Sequence, residues 1–340
     1  MKRLLLLGVA LLLILTLVSC NKLSIQINLP DDSSDNYHTN TFSEDFPQEL
    51  RKHAAPWITD VRGKAMEEGT INYYFMSGKG LLMDPKEKDP YKWGDSTLVV
   101  LPDGRTVLID VGMAAYAPVL AENLKRMGID RIDYLMITHP HGDHCGGIIA
   151  ENCFLDMISV DTVLYSGVVR VGTTETIYKQ CADRNIPIQI VQQGDIFTFG
   201  DAKMEILWPK TGADGKNITK TAAVNNHSIL ARFDYGEHSS LFSGDLYIAG
   251  ESQVIVDCGD KLDVDLLKVP HHGYATSSSR MFISKTSPDV AVAMGAYRSS
   301  IHRLYEAMGA YYLFDQYDGY IHVFSNGVEM RYDTDRTGHS

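Results

Sequence analysis

The chain has 340 residues, of which 44% are hydrophobic and 22% are charged, a composition that fits one large globular domain or two smaller ones. Its formal net charge of −12 argues against an extensive nucleic-acid-binding surface, because such surfaces use cations to neutralise phosphates. A small, local basic site is still compatible with this charge.

Residues 1–20 have the pattern of an export signal. Two basic residues precede an apolar run over residues 4–18, which is short for a membrane span of about 20 residues. The alternative is a signal anchor that is not cleaved. The ending Leu-Val-Ser-Cys resembles the lipobox of bacterial lipoproteins, which implies lipid attachment at Cys20 and an exported protein anchored in the cell envelope. Asn21 stands where an inner-membrane retention signal would have aspartate, so the outer membrane is favoured.

The remaining chain divides into three parts. A polar run rich in Asp, Ser and Asn, without periodicity, predicts a tether and N-terminal extension over residues 21–69. We expect one domain over residues 70–333 and a tail over residues 334–340. The domain begins with a predicted strand over residues 71–76, followed by a loop over residues 78–93 that is rich in Lys, Asp and Pro.

A hairpin and a buried strand follow in chain order. The Pro-Asp-Gly turn at residues 102–104 predicts a hairpin between strands over residues 96–101 and 106–111. Apolar spacing predicts a helix over residues 115–126. The strand predicted over residues 133–138 has a nearly continuous apolar core, as expected when both faces of a sheet are covered.

The second half repeats this alternation. Further strands are predicted over residues 162–165, 188–191, 203–207, 228–233, 240–243, 265–269, 290–294 and 320–324. Further helices are predicted over residues 174–183, 246–256, 277–285 and 300–308. Strands with interspersed helices predict an α/β (α+β) architecture with helix-covered sheets. The four cysteines after Cys20 show no disulfide or zinc spacing, so we expect free or buried thiols.

The segment THPHGDHCGG, residues 138–147, follows the buried strand and contains four groups that could bind metal or move protons. These are His139, His141, Asp143 and His144. His139 and His141 alternate, so both can point in one direction from an extended strand end. Imidazole and carboxylate together suit Zn, Mn or Fe, and the spacing predicts a metal site. The alternative is a polar loop rich in histidine.

Two later segments also place polar groups after an apolar strand. Asp245 follows Gly244 at the end of one strand, and its two oxygens could bridge two metals. His271 and His272 follow another strand, and one of them could complete a second site. A Gly-Asp pair alone is most often a turn, so Asp245 gains significance only beside the first motif.

These motifs together resemble the metallo-β-lactamase superfamily. "LIDVG", which contains Asp110, matches the first motif of the superfamily, "THPHGDHCGG" the second, and "FSGDL" and "LLKVPHHG" later ones. Their order, with "DSTLVVLPDGRTVLIDVG" and "VNNHSIL", resembles the hydrolase domain of ComEC-type DNA-uptake proteins. The resemblance covers about residues 70–333 and implies an αββα four-layer sandwich.

The resemblance also implies a ligand set for two divalent metal ions. His139, His141 and Asp245 would hold one ion; Asp143, His144, Asp245 and His271 would hold the other, with His272 the competing choice. Asp110 would support the histidines from behind. A third histidine common in the family is absent here, where Asn226 is favoured over His227 to line the site. Zinc is the expected metal, and an oxygen-rich first site makes manganese an alternative.

The reaction implied is hydrolysis by a metal-activated hydroxide. Asp245 would position the hydroxide, while Asp143 or His272, if His271 is the ligand, would move protons. We expect phosphodiester bonds of nucleic acid, nucleotides or envelope polymers as substrate. Ser277, Ser278 and Arg280 could receive a phosphate at a helix start, or could simply cap that helix.

Two alternatives stay open. One is a hydrolase of carboxylic esters, lactones or thioesters, or, less in keeping with the missing histidine, of β-lactams. The other is a surface lipoprotein that binds a ligand without catalysis. Complete retention of the ligand residues favours an enzyme.

Overall fold

A computed structural model of the chain describes residues 69–76, 94–211, 217–295 and 299–334. The predicted signal peptide with Cys20, and the tether up to residue 68, lie outside these residues. So do the loop over residues 78–93 and the tail from residue 335. Within the described ranges, no helix combines the length and the apolar composition needed to cross a membrane.

Strands and short helices alternate along the described chain. The strands are β1 (Ile71–Phe75), β2 (Thr97–Val100), β3 (Thr106–Ile109), β4 (Arg131–Ile137), β5 (Ser159–Tyr165), β6 (Ile188–Ile190), β7 (Ile196–Phe199), β8 (Ala202–Trp208), β9 (Leu230–Tyr235), β10 (His238–Phe242), β11 (Leu266–Lys268), β12 (Val290–Ala293), β13 (Tyr311–Phe314), β14 (Ile321–Ser325) and β15 (Met330–Thr334). The helices are α1 (Ala117–Arg126), α2 (Gly142–Ile149), α3 (Thr173–Asp183), α4 (Thr221–Asn225), α5 (Ile248–Cys258), α6 (Arg280–Thr286), α7 (His302–Ala307) and α8 (Asp315–Asp318). Single 3₁₀ turns cover Phe154–Asp156, Gly259–Leu262 and Pro270–Gly273.

The strands of the described ranges form two mixed sheets. One has eight strands in the order β15-β14-β1-β2-β3-β4-β5-β6, and the other has seven in the order β13-β12-β11-β10-β9-β8-β7. The predicted hairpin is confirmed, because β2 and β3 are antiparallel with Val100 opposite Thr106. The sequence pattern does not predict β7, β13 or β15. Each is an edge strand of its sheet. β7 and β15 are only partly buried and carry a weak apolar signal, whereas β13 is buried at three of its four residues.

Three apolar layers hold the two sheets and their helices together. Between the sheets, the rings of Phe75 in β1 and Phe242 in β10 stack with centroids 6.0 Å apart. The outer layer on the eight-stranded sheet includes Leu120, Ile148 and Ile177 from α1, α2 and α3. The outer layer on the seven-stranded sheet includes Val254, Phe282 and Tyr305 from α5, α6 and α7. This is the αββα sandwich, and it confirms the predicted fold class.

Parallel strands from both sheets end at the same edge of the sandwich. In the eight-stranded sheet, β3 and β4 run parallel and lead into Asp110 and His139. In the seven-stranded sheet, β10 and β11 run parallel and lead into Asp245 and the turn Pro270–Gly273. Because parallel strands present their carboxyl ends together, the predicted motifs converge there from distant parts of the chain.

The cysteines have no structural cross-linking role in the described residues. Cys145, Cys153, Cys181 and Cys258 are all buried and unpaired. This confirms the expectation of free, buried thiols.

Two glycine turns bring the sheets into contact at another point. Gly236 lies between β9 and β10, and Gly327 lies between β14 and β15. The backbone N–H of Glu237 donates to the Gly327 carbonyl at 2.7 Å. A Cβ atom on Gly236 would lie 2.3 Å from that carbonyl oxygen, so only glycine fits this contact.

We expect Gly236→Ala to destabilise the fold by about 3 kcal/mol or more, because it adds a backbone clash to a left-handed backbone conformation. Gly200→Ala is the matched control: φ is +60° there and +59° at Gly236, but its nearest neighbour, the Cβ of Asp103, lies at an ordinary 3.6 Å. The control should lose only about 1–2 kcal/mol. Urea unfolding of both variants measures the difference, and equal losses would contradict the contact between the two turns.

Candidate metal centre

The first motif lies where β4 passes into α2. β4 ends at Ile137, and α2 begins at Gly142, with His139 and His144 both fully buried. The glycines after the motif allow the helix to approach the neighbouring loop, since a Cβ on Gly146 would lie 2.7 Å from the backbone N of Ala114. The backbone therefore holds the ligand-bearing segment against the end of β3.

One pair of imidazole nitrogens converges at this edge. His139 Nε2 lies 2.8 Å from His141 Nδ1 and 3.7 Å from Asp245 Oδ2. Burial lowers the pKa of His139 well below its usual value, and the neighbouring His144 adds to this effect. Burial and the charge of Arg170 also lower the pKa of His141. Both imidazoles are therefore neutral at pH 7 and have lone pairs available for a metal.

A second group of ligand atoms lies on the other side of Asp245. His144 Nε2 lies 3.2 Å from Asp245 Oδ1, and His272 Nε2 lies 3.5 Å from Asp245 Oδ2. Asp143 Oδ2 lies 3.2 Å from the same nitrogen of His272. The Asp245 carboxylate thus stands between the two groups, as a bridging ligand would.

Two of these atoms lack the partners that buried polar atoms normally have. His144 Nε2 and Asp245 Oδ1 are shielded from solvent and, although they lie 3.2 Å apart, make no hydrogen bond of acceptable geometry with each other or with any other described group. Leaving such atoms unsatisfied costs roughly 1–3 kcal/mol each, and more for a charged group. A divalent ion would satisfy both, and the mixed imidazole and carboxylate donors suit Zn or Mn.

Asp110 supports this group from behind. Its Oδ2 lies 2.7 Å from His144 Nδ1, and its Oδ1 accepts a hydrogen bond from the backbone N–H of Thr138 at 2.8 Å. The bond to Nδ1 leaves Nε2 unprotonated in neutral His144 and directs it toward Asp245. This contact with His144 is the one that the supporting role implied by the resemblance requires.

The two adjacent histidines occupy different positions. His272 is buried, and its Nδ1 donates to the Met294 carbonyl at 2.8 Å, so that Nε2 faces the ligand group. His271 lies at the rim, with Nε2 3.9 Å from Asp245 Oδ2 and Nδ1 bonded to the Thr276 hydroxyl. The resemblance favoured His271 as the metal ligand. The geometry instead places His272 in the ligand group and His271 at the rim. Left-handed backbone at both residues, with φ of 46° and 56°, produces this arrangement.

Asn226 and His227 do not enter the ligand group. Asn226 Oδ1 accepts from the backbone N–H of Tyr247 and of Gly250, at the start of α5. His227 Nδ1 lies 2.7 Å from the Ala223 carbonyl, within the turn that follows α4. The prediction that Asn226 lines the site is wrong, because its side chain caps a helix instead.

The predicted phosphate site is also wrong. The Ser277 and Ser278 hydroxyls are buried and bonded to other protein groups, and Arg280 is exposed to solvent. The backbone N–H groups of Ser278 and Ser279 donate to the Glu251 carboxylate, which supplies an internal anion. These serine donors are therefore already occupied and do not form a cradle for a phosphate.

Asp95 belongs to the site although the sequence analysis did not single it out. It joins His144, Asp245 and His272 in a buried group whose ligand atoms lie within 4.8 Å of one another. Asp95 precedes β2 and begins the segment "DSTLVV". A carboxylate two residues before a fully buried strand is the signal that could have identified it.

The carboxylates make the second group of histidines basic. Burial would lower the pKa of His144 and of His272, but the charge of Asp245 and other nearby carboxylates outweighs burial and raises both pKa values well above the usual range. Conversely, His144 and His272 outweigh the effect of burial on Asp245 and hold its pKa well below the usual range.

Comparison with known proteins supports the resemblance. Residues 94–150 match the family model described as Metallo-beta-lactamase superfamily. ComE operon protein 3 of Bacillus subtilis is 27% identical over 226 residues, which are 62% of this chain and 28% of that protein. Competence protein ComA of Neisseria gonorrhoeae is 27% identical over 215 residues, 62% of this chain and 27% of that protein. The chain thus spans under a third of the length of these relatives. The metallo-beta-lactamase fold protein YhfI of Bacillus subtilis aligns with a TM-score of 0.45 at 12% identity, covering 72% of this chain and 95% of YhfI.

We expect His272→Ala to weaken binding of one zinc ion by at least about 100-fold, because it removes a ligand, whereas His271→Ala should still bind two ions. Metal content after gel filtration, combined with a chelator competition, measures both. Circular dichroism checks that each variant is folded. Loss of an ion in His271→Ala and its retention in His272→Ala would reverse the assignment.

We also expect the two ions to differ in the pH dependence of their binding. His144 and His272 carry protons at pH 7 in the metal-free protein, so the ion that they bind must displace about two protons. Its affinity therefore falls as the pH falls. His139 and His141 are already neutral, so the other ion should displace almost none. Isothermal titration calorimetry in two buffers of different ionisation enthalpy counts the protons, and equal release for both ions would contradict this assignment.

Proposed function

We propose that the chain is a metal-dependent hydrolase that cleaves phosphodiester bonds. The observation that carries this proposal is the convergence of six side chains from three segments on one buried edge, with two ligand atoms left unsatisfied. These side chains are His139, His141, Asp143, His144, Asp245 and His272. A histidine-rich loop without function would not require three segments to meet in this way.

His139, His141 and Asp245 would hold one divalent ion, and Asp143, His144, Asp245 and His272 would hold the other. When bound, such ions lower the pKa of coordinated water and neutralise charge on the attacked group. The protein fixes the ligand directions and excludes bulk water from the buried donors, while the side chain of His271 stays 14% exposed.

His271 is placed to contact the substrate. Burial lowers its pKa to about 4, although Asp245 acts in the opposite direction, so the ring is neutral at pH 7. In the tautomer in which Nδ1 accepts from the Thr276 hydroxyl, Nε2 carries the proton. That N–H can donate a hydrogen bond to a substrate oxygen.

Arg170 supports an anionic substrate. Its guanidinium donates to the carbonyl of Pro140, between His139 and His141, at 3.1 Å. A cation fixed at the rim of an otherwise acidic site can pair with a phosphate oxygen that is not attacked. We therefore propose Arg170, in place of Ser277 and Ser278, as the group that contacts the substrate phosphate. The resemblance of the motifs to the hydrolase domain of ComEC-type DNA-uptake proteins also supports a nucleic acid or related phosphodiester as substrate.

The predicted signal peptide over residues 1–20 places the proposed hydrolase in the cell envelope. Cleavage before Cys20 and its acylation would anchor the domain in the cell envelope, where the tether would separate it from the membrane. Intact mass of the purified mature protein tests this part separately from catalysis.

The proposal predicts hydrolysis of bis(p-nitrophenyl) phosphate by the chain without residues 1–20, with added Zn²⁺ or Mn²⁺. Asp245→Ala should lower kcat/KM by on the order of 10³-fold or more, because it removes the shared ligand of both ions. Asp234→Ala, a carboxylate on β9 paired with Lys203 and Arg232, is the matched control and should keep the activity. No turnover by a protein shown to hold two ions would shift the proposal to ester, lactone or thioester substrates. No turnover and no metal would favour a binding lipoprotein.

A variant of Arg170 distinguishes the substrate classes. Arg170→Ala should raise KM for the anionic phosphodiester by about tenfold or more, because it removes a charge-assisted hydrogen bond. It should leave the KM for neutral p-nitrophenyl acetate unchanged, and Arg170→Lys should recover part of the phosphodiester affinity. Equal changes in KM for both substrates would show that Arg170 does not recognise the charge of the phosphodiester.

A further inference from the structure

A buried ion pair lies directly behind the candidate metal centre. Lys268, on β11, places its ammonium group against Oδ2 of Asp95, and the two side chains are 4% and 5% exposed. Removing two charges from water costs several kcal/mol per ion, which their attraction often does not fully repay. Because such a pair often adds little to the stability of the fold, we looked for a functional role for Lys268 and Asp95 in the metal centre.

The second oxygen of Asp95 points to the metal centre. Asp95 Oδ1 lies 3.3 Å from Nδ1 of His272, while Oδ2 lies 3.9 Å from Nδ1 of His144. The carboxylate therefore stands behind both imidazoles, whose Nε2 atoms face Asp245 on the other side. Oδ2 of Asp110 already holds Nδ1 of His144 at 2.7 Å. The imidazole that Asp95 can orient is therefore mainly that of His272.

His272 needs such support more than the other ligands do. It lies in a short turn in which His271 and His272 both have left-handed backbone, rather than on a strand or a helix of several turns. The carbonyl of Met294 holds Nδ1 from one direction, at 2.8 Å. Oδ1 of Asp95 approaches the same nitrogen from a second direction, at 3.3 Å, and acts on the ring through its charge, since it accepts no hydrogen bond among the described residues.

Asp95 itself could instead be a metal ligand, since its atoms lie close enough to those of His144, Asp245 and His272. Two observations oppose this role. Asp95 approaches the Nδ1 atoms, behind the rings, and not the Nε2 atoms that converge on Asp245. In addition, the ammonium group of Lys268 on its other oxygen would repel a divalent ion bound there.

We propose that Lys268 and Asp95 are positioning residues: Lys268 fixes the Asp95 carboxylate, and Asp95 fixes the His272 ring so that Nε2 faces the second metal ion. This inference rests on the metal centre of the proposed function but not on the phosphodiester substrate. Support groups behind metal ligands typically change affinity by about 10–100-fold. Because neither residue approaches His139 or His141 in the described structure, only one of the two ions should be affected.

The test compares zinc affinities at the two sites in the full-length chain by chelator competition, together with metal content and thermal unfolding. Asp95→Asn/Lys268→Met removes both charges with side chains of similar size, so that no unpaired charge stays buried. Asp95→Glu keeps the ion pair but moves the carboxylate by one methylene, and it serves if the double variant does not fold. Glu205→Gln/Lys261→Met removes an ion pair on another part of the fold and is the control.

We expect two bound ions in Asp95→Asn/Lys268→Met and in Asp95→Glu, one with wild-type affinity and the other bound about 10–100-fold more weakly. The control should change neither affinity.

Wild-type affinity for both ions in these variants would overturn the proposal, since the pair would then be purely structural. Complete loss of one ion in Asp95→Asn with Lys268 retained would also overturn it, by making Asp95 a ligand. A wild-type chain that binds two ions without cleaving phosphodiesters would refute the proposed substrate and leave this inference intact, whereas one that binds fewer than two ions would refute both.

Discussion

The arrangement of the site depends on the buried carboxylate of Asp245. It is 2% exposed, and an ionised carboxylate in such a position needs positive charge and hydrogen-bond donors nearby. Four imidazoles lie within 4 Å of it: those of His139 at 3.7 Å, His144 at 3.2 Å, His272 at 3.5 Å and, at the rim, His271 at 3.9 Å. In the metal-free protein, protons on His144 and His272 balance its charge. A divalent ion would take their place, so metal binding and proton loss are coupled at this point.

The αββα sandwich brings these groups together at the ends of its strands. Asp110 and His139 follow neighbouring strands of one sheet, and Asp245 and His272 follow neighbouring strands of the other. The apolar layer between the sheets fixes the distance between the two strand pairs. Glycines allow the necessary close approaches, as at Gly146 beside Ala114. The ligand directions are thus set before any ion binds, which lowers the cost of assembling the site.

Charge is distributed unevenly around the centre. The chain is acidic as a whole, and the site itself contains four carboxylates, from Asp95, Asp110, Asp143 and Asp245. Two cations have separate positions beside it: Lys268 is buried behind the ligands, and Arg170 lies at the rim. The buried cation keeps a support group in place, whereas the rim cation is available to a substrate. A protein without a large basic surface can in this way still attract a small anionic group.

The sequence by itself determined the strand-rich α/β architecture and the clearest candidate ligands. Local patterns suffice for His139, His141, Asp143 and His144, because four metal-binding side chains within six residues after an apolar strand are typical of a metal site. They also suffice for the hairpin at residues 102–104, because the turn chemistry is local. The edge strands β7 and β15 give no comparable signal, since they bury only part of their surface. Only the tertiary structure decided between His271 and His272, because two left-handed residues reverse the directions that an extended strand end would give. It also assigned Asn226 and Ser278 to helix ends and brought Asp95 behind His272, because these contacts join residues 20 to 180 positions apart, which no local pattern records.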